Sequence, residues 1–396
     1  MDWKSASENE AGTFSIPKRW LLIHYYEALN LLFRTENSLR VFVYTILKNK
    51  KFDKWTETPI KISEENNSTI GVIAKQRIAQ AKGFGYLGYE IISPLMHLNS
   101  GELVRLITSD NMWPDFKYHF KGKKEVIRTK LDEVGTIRNS LAHFRPIKKD
   151  DIELIKQNAK HALIGVEESL SEMTQTYNVV PTNTEEEWYK ALVVLGTELC
   201  EIQVFQSNNE EWVRLQITFK SSVLSANRWW AEHYAYTVTN IATPSIIRLY
   251  DNLRKYVTYV NEYLPYAQLD EDNNPDYKKQ ISFIFRKDVL VGNSTEIFKD
   301  IKNILLKIQE EVALLEQDNL AKGGLIESAR TAVTLNKTGE NHTWVAENEA
   351  LKCPFKEDDP AEYWADVGIY QSDFIAGAIK YPWMPSDISD QEGLFE

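Results

Sequence analysis

Residues 124–143, KEVIRTKLDEVGTIRNSLAH, close on Arg138-Asn139-Ser140-Leu141-Ala142-His143 and stop short of Pro146. Ile127, Leu131, Val134 and Leu141 recur at steps of four, three and seven, which marks one face of an α-helix. Arg138 falls on the same stripe, four after Val134 and three before Leu141. A guanidinium is not stripped of water without partners, so this end of the stripe must meet a carboxylate, a second chain or an anionic ligand. Asn139 and His143, four apart, share the neighbouring face. The helix is expected to end at Phe144 or Arg145, because the residue before a proline is pushed out of the helical region. His143 then sits in the last turn. An arginine, an amide and a histidine at one helix end can hold a phosphate and move a proton beside it.

Upstream, residues 1–17 read as a loose polar arm, and RWLLIHYYEALNLLF as an apolar helix opened by Pro17 that holds His24 in a core or an interface. Thr35 or Asn37 is placed to cap a second helix over 36–49 that turns Leu39, Val43, Ile46 and Leu47 inward. Glu36 and Arg40 lie one turn apart there, either as an exposed pair or with Glu36 reaching the arginine of the site helix. Ser68 or Thr69 starts a helix through Lys82, and GFGYLG reads as a turn because it lacks the spacing of a phosphate loop. Asn99 or Ser100 caps GELVRLIT, with Glu102 set for a capping box. Asp150 or Asp151 opens a helix to Tyr177 on a stripe of Ile152, Ile155, Ala159, Ala162, Leu163, Val166, Leu170 and Met173. Residues 18–178 are therefore expected to form an all-α bundle.

The polar stretch YNVVPTNTEEE is the expected boundary. Beyond it the pattern changes. CEIQVFQSNNEEWVRLQITF reads as a hairpin and HYAYTVTNI as a strand. PSIIRLYDNLRKYVTYVNEYL reads as a helix, QISFIFRKDVLVG as one or two strands, and 294–319 as a long helix. Residues 185–322 form an expected α+β domain with a sensing or regulatory role, and 323–396 an irregular tail, giving an α+β chain overall.

With 396 residues, 43% of them hydrophobic, the chain has enough apolar material for two or three cores. A net charge of −11 argues against general polyanion binding but leaves room for a local basic site. From Trp113 to Lys149 ten cations face four anions, a positive island expected to surround the site helix. Lys121, Lys123, Lys124, Arg145 and Lys148 are its candidate RNA contacts. Two cysteines, Cys200 and Cys353, show no pairing pattern, and no signal peptide or membrane-length apolar run is present. A soluble cytoplasmic protein is expected, without membrane partners.

RNSLAH resembles the motif of HEPN-domain ribonucleases, in which an arginine followed by a polar residue precedes a histidine. Arg19/His24 and Arg228/His233 match the bare spacing too, but tryptophans, Trp20 and Trp229, follow those arginines. TENSLRVFVYTILKNKKFDKW, with Glu36, Arg40 and Trp55, is similar to the second helix of one HEPN branch. GYLGYEIISPLMHLNSGELVRLITSDNMWPDFKYHF resembles that branch's middle. The resemblance covers residues 18–175. It implies a metal-independent endoribonuclease that needs no cofactor, leaves a 2′,3′-cyclic phosphate and builds one cleft from the motifs of two protomers. Arg138, Asn139 and His143 would be catalytic, with Glu36, Arg40 and Ser140 in support. The implied setting is phage defence or a toxin system, with cellular RNA, tRNA among the candidates, as target and an antitoxin or phage-derived trigger as a further partner.

The chemistry suits the residue types. Imidazole ionises near neutral pH and can transfer the ribose proton, while a guanidinium fork matches phosphate oxygens. HExxH, Cys-x-x-Cys and G-x-S-x-G are all absent, which gives zinc or serine hydrolysis no motif. Two other readings stand beside the ribonuclease: a catalytically silent bundle that holds RNA, a nucleotide or a protein, and a dimerising bundle with its activity in the C-terminal region.

Overall fold

Ser38 to Tyr44 is buried on every side: Leu39, Val41, Phe42, Val43 and Tyr44 are apolar right round the helix, and the buried Ser38 and Arg40 among them have hydrogen-bond partners. This run belongs to α1 (Tyr25–Lys51), the central helix of the first of two compact units, Met1–Ser171 with Gln371–Glu396; the second is Glu172–Tyr370. The computed structural model describes residues 24–61, 67–83, 93–177, 184–230, 233–265, 275–317, 323–338, 341–356, 358–367, 372–378 and 380–384, with short strands elsewhere. Among the described residues no helix is long and apolar enough to cross a membrane.

The expected break between two N-terminal helices is absent: one 27-residue helix runs through Thr35 and Asn37. Asn37 does not cap. Its Nδ2 donates to the Phe33 carbonyl (3.0 Å) and its Oδ1 accepts from Arg40 (2.9 Å), so its polar atoms are satisfied inside the helix. The start expected at Lys18 and residues 84–88 of the GFGYLG turn fall outside the described residues, while Gly83 ends the helix before it.

The arm contributes two paired strands, β1 (Ser7–Glu8) and β2 (Phe14–Ser15). After a 3₁₀ turn at Phe52–Glu57, β3 (Pro59–Lys61) pairs with β4 (Asn67–Thr69) and leads into α2 (Ile70–Gly83), where Val72 N donates to Thr69 Oγ1 (3.3 Å). A second such turn, Pro94–His97, precedes α3 (Ser100–Thr108). The capping box at Asn99 and Glu102 forms as expected, both bonds at 2.9 Å, and Glu102 also accepts a two-pronged bond from Arg77 at 2.8 and 2.6 Å. α4 (Trp113–Phe116) turns the chain into α5 (Lys124–Ala142), and α6 (Lys149–Thr174) buries Ile152, Ile155, Ala162, Leu163, Val166 and Leu170. Gly165 lies so close to the turn before α5 that a Cβ would meet the His119 carbonyl oxygen at 2.2 Å.

In the second unit one antiparallel sheet has the order β10-β13-β7-β6-β5, from β5 (Thr176–Tyr177), β6 (Cys200–Ser207), β7 (Trp212–Lys220), β10 (Tyr259–Tyr263) and β13 (Lys278–Arg286). The β6–β7 hairpin is the expected one. A second antiparallel sheet, β15-β14-β9-β8, combines β8 (Val223–Trp230) and β9 (His233–Ile241) with β14 (Ile326–Thr338) and β15 (Asn341–Ala346). The region expected as an irregular tail therefore supplies two strands, one pairing with β9 from Ile326↔Ile241 to Thr334↔His233. A small pair, β11 (Gln268–Leu269) and β12 (Pro275–Asp276), completes the strands, and α7 (Glu187–Val193) precedes the hairpin.

The helix expected over PSIIRLYDNLRKYVTYVNEYL divides into α8 (Thr243–Leu249), α9 (Asp251–Tyr256) and strand β10. Val257-Thr258-Tyr259-Val260 is β-branched and aromatic, and pairing with β13 buries it, which overrides the helical period. Conversely the end of QISFIFRKDVLVG is helical, α10 (Lys287–Gly292), followed by α11 (Ser294–Glu316). Lys279 and Glu262 form a fully buried ion pair at 2.9 Å. Lys279 also donates to the carbonyls of Ile241 and Leu351 at 2.9 and 2.7 Å, satisfying its ammonium.

The chain returns to the first unit at its end. α12 (Phe374–Gly377) and the residues after it dock on α1 and α6: Ile375 N donates to Glu167 (2.7 Å), Arg34 donates to the Ile375 carbonyl (3.2 Å), and Tyr381 and Trp383 set their rings edge-on to Phe33 and Tyr44.

Candidate active site

α5 buries Ile127, Leu131, Val134 and Ile137, and the burial ends where the motif begins. The Arg138 side chain is 40% exposed although it continues the apolar stripe. The helix stops slightly before the expected place. His143 is the exposed capping residue, and Phe144 takes the left-handed conformation at φ 54°. Phe144 N donates to Leu141 O (3.0 Å) and Arg145 N to Ser140 O (2.9 Å), the paired bonds of a Schellman ending, in which glycine usually occupies the left-handed position. Tyr25 Oη donates to the Arg145 carbonyl and ties this turn to the start of α1.

Glu36 is the carboxylate that the Arg138 stripe called for. Its Oε2 lies 3.8 Å from Arg138 Nε and accepts from Ser100 Oγ (2.5 Å), and its Oε1 accepts from Arg40. Arg40 is buried and engaged through all three of its side-chain nitrogens, donating also to Asn37 Oδ1 and to the carbonyls of Leu95 (3.2 Å) and Leu98 (3.1 Å). Burial lowers the pKa of Arg40, and the charge of Arg138 adds to the effect; Glu36 opposes both. α1 thus presents one carboxylate to two hydrogen-bond donors, Arg40 and Ser100, and to the charge of Arg138. Arg138, its side chain 40% exposed and the most distant of the three, keeps guanidinium N–H groups for another anion.

A cavity of about 520 Å³ opens at this point. Its polar wall holds Glu36, Asn37, Arg40 and Arg138; Tyr25, Tyr26, Leu29, Phe33, Leu141 and Phe144 form most of the rest. Asn139 and His143 are exposed and do not line it, although they sit one turn apart, with His143 N donating to Asn139 O (3.1 Å). Ser140, expected in support, donates its hydroxyl to Thr136 O (3.3 Å) within α5.

The expected basic island is divided by the geometry of α5. Lys124 and Arg138 are fourteen residues apart on one straight element, about 21 Å along its axis. Lys121 pairs there with Glu168 (2.7 Å) and Lys124 with Asp110, while Lys123 is exposed. These lysines therefore do not surround the motif. Arg145 and Lys148 do lie at its end of the helix, both exposed.

Sequence reasoning missed the aromatic side of the cavity. Tyr26, Leu29 and Phe33 are 52%, 56% and 45% exposed, and Phe144 86%. Their spacing of three and four along α1 was visible, but an apolar stripe at helical period reads as core.

Among the described residues no group of three or more His, Cys, Asp or Glu side chains is placed to hold a metal ion. No family model, curated protein or solved structure matches the chain.

Proposed function

We propose that the first unit is a HEPN-type endoribonuclease that cuts cellular RNA, tRNA among the candidates, without a metal. The single observation that carries this reading is the half-exposed Arg138 guanidinium on an otherwise buried stripe, held at a cavity edge by a carboxylate shared with two other donors. A purely structural arginine would be expected to be enclosed by its acceptors. In the proposed reaction the RNA 2′-oxygen attacks the adjacent phosphorus, its proton passes to the His143 imidazole, and the bond to the 5′-oxygen breaks as that oxygen takes a proton. The products are a 2′,3′-cyclic phosphate and a 5′-hydroxyl. Arg138 offsets the charge that accumulates on the phosphate oxygens, and Asn139 orients the ribose or the imidazole. A second copy of the chain supplies the second motif of a shared cleft. The second unit acts as sensor, and the setting is phage defence or a toxin system with an antitoxin or a phage-derived trigger.

The experiment is incubation of purified protein with total RNA in EDTA beside Arg138→Ala and His143→Ala. Cleavage by the wild type alone, with cyclic-phosphate ends, supports the reading; equal cleavage by all three rejects it. A specific observation favours the second reading, a silent module that binds RNA, a nucleotide or a protein: Asn139 and His143 do not line the cavity that Arg138 lines. Binding without cleavage, lost in Arg138→Ala, would establish that alternative. Cleavage that survives both substitutions but needs the second unit would transfer the activity there.

A further inference from the structure

Phe144 combines two costs that an ordinary surface residue avoids. Its ring is 86% exposed, and its backbone holds a φ of 54° that an aromatic residue rarely adopts. The Schellman bonds on either side fix the turn, so the ring is carried on a rigid support directly after His143. Around the same cavity, Tyr26 and Phe33 present further exposed rings, while Glu36, Arg40 and Arg138 supply ionic groups to its polar wall.

This mixture discriminates between occupants. Two guanidiniums, Arg40 and Arg138, share the single carboxylate of Glu36 at the polar wall of the cavity, which leaves a positive charge there for an anion. A nucleotide presents the complementary set: a flat apolar face, a polar edge and an anionic phosphate. The volume of about 520 Å³ lies within the range of sites that take small organic ligands. Arg145 and Lys148, exposed beyond Phe144, add positive charge where a strand would continue.

We infer that the cavity is a nucleobase subsite: Phe144 stacks on an unpaired base of single-stranded RNA while Arg138 contacts the phosphate attached to it. Bases inside a duplex are stacked on their neighbours and cannot reach this ring, so the substrate class is single-stranded or loop RNA. The inference rests on the ribonuclease reading for its substrate but not for its test.

The test measures binding of a short single-stranded RNA, 2′-O-methylated throughout so that it cannot be cut, and of the same strand annealed to its complement. The proteins are wild type, Phe144→Ala, Phe144→Trp and Phe144→Gly. Removing one stacked base is expected to weaken single-strand binding by roughly five- to 150-fold. The expected pattern is loss in Phe144→Ala and Phe144→Gly, retention in Phe144→Trp, and weaker binding of the duplex. Loss in Ala but not Gly would assign the effect to backbone strain and overturn the subsite. So would equal affinity in every variant, absence of single-strand binding by the wild type, or a fall in solution mass of Phe144→Ala, which would make the patch a contact between copies. Cleavage of unmodified RNA is scored separately: cutting indifferent to Phe144 sinks the subsite alone, and Phe144-dependent binding without cutting sinks the ribonuclease alone.

Discussion

Glu36 Oε2 stands 3.8 Å from Arg138 Nε, and the same carboxylate is gripped by Arg40 one turn along α1. The position of Arg138 therefore depends on a buried pair that lies on another helix. Glu36→Gln removes the counter-charge from a guanidinium whose side chain is 11% exposed. The expected loss of stability is about 2–4 kcal/mol, on the low side of a fully buried pair because some water reaches both groups. Urea unfolding of the variant checks this, and an unchanged midpoint would mean that Arg40 is satisfied by its carbonyl partners.

Arg138→Lys preserves charge but not the planar fork. On the proposed ribonuclease reading, RNA cleavage should fall by about 10²-fold while unfolding moves by less than ~0.5 kcal/mol, since the side chain is 40% exposed. Single-turnover rates at saturating RNA read the first quantity and denaturant melts the second.

Gly165→Ala should destabilise the helical unit by about 1–3 kcal/mol, because the added methyl meets the His119 carbonyl oxygen at 2.2 Å and backbone must move. A melting temperature equal to wild type would show that the turn before α5 yields freely.

Burial pushes the Cys200 thiol up to about 12, and burial likewise raises Cys353. Neither should react with a thiol reagent near neutral pH until the second unit unfolds; prompt modification of the native protein would contradict the burial. The sign of the pH effect follows. For Cys200 the folded state keeps its proton above 9.0, where the unfolded thiol releases it. Stability from this group is complete below about pH 9 and declines as pH rises toward 12.

Trp383→Ala should behave as a core truncation, at about 3–5 kcal/mol, since the ring is 2% exposed and packs 5.3 Å from Tyr44. A shift confined to the last residues, with the melt of the helical unit unmoved, would deny the segment its structural part.

The features that were legible in the sequence are those settled by near neighbours. The α5 stripe, the Asn99–Glu102 box and the β6–β7 hairpin each depend on residues a few positions apart. Thr35 and Asn37 looked like caps because the same side chains serve caps and helix interiors, and burial of the helix around them is a tertiary outcome. Val257–Tyr263 was misread for the same reason: its strand partner lies beyond Lys278. For the candidate site, the motif residues and Glu36 were visible. The separation of the lysines from Arg138 was not, because clustering in sequence becomes distance along a rod. Phe144 escaped notice since nothing in its residue type announces a positive φ.

The docking of Phe374–Trp383 on α1 imposes an order on synthesis. A ribosome delivers this segment only after the whole stretch Glu172–Tyr370 has emerged. Until then Phe33 lacks the ring of Tyr381, and Tyr44 has the edge-on ring of Trp55 but lacks that of Trp383. The helix that carries Glu36 therefore acquires the support of this segment only after the second unit has been synthesised.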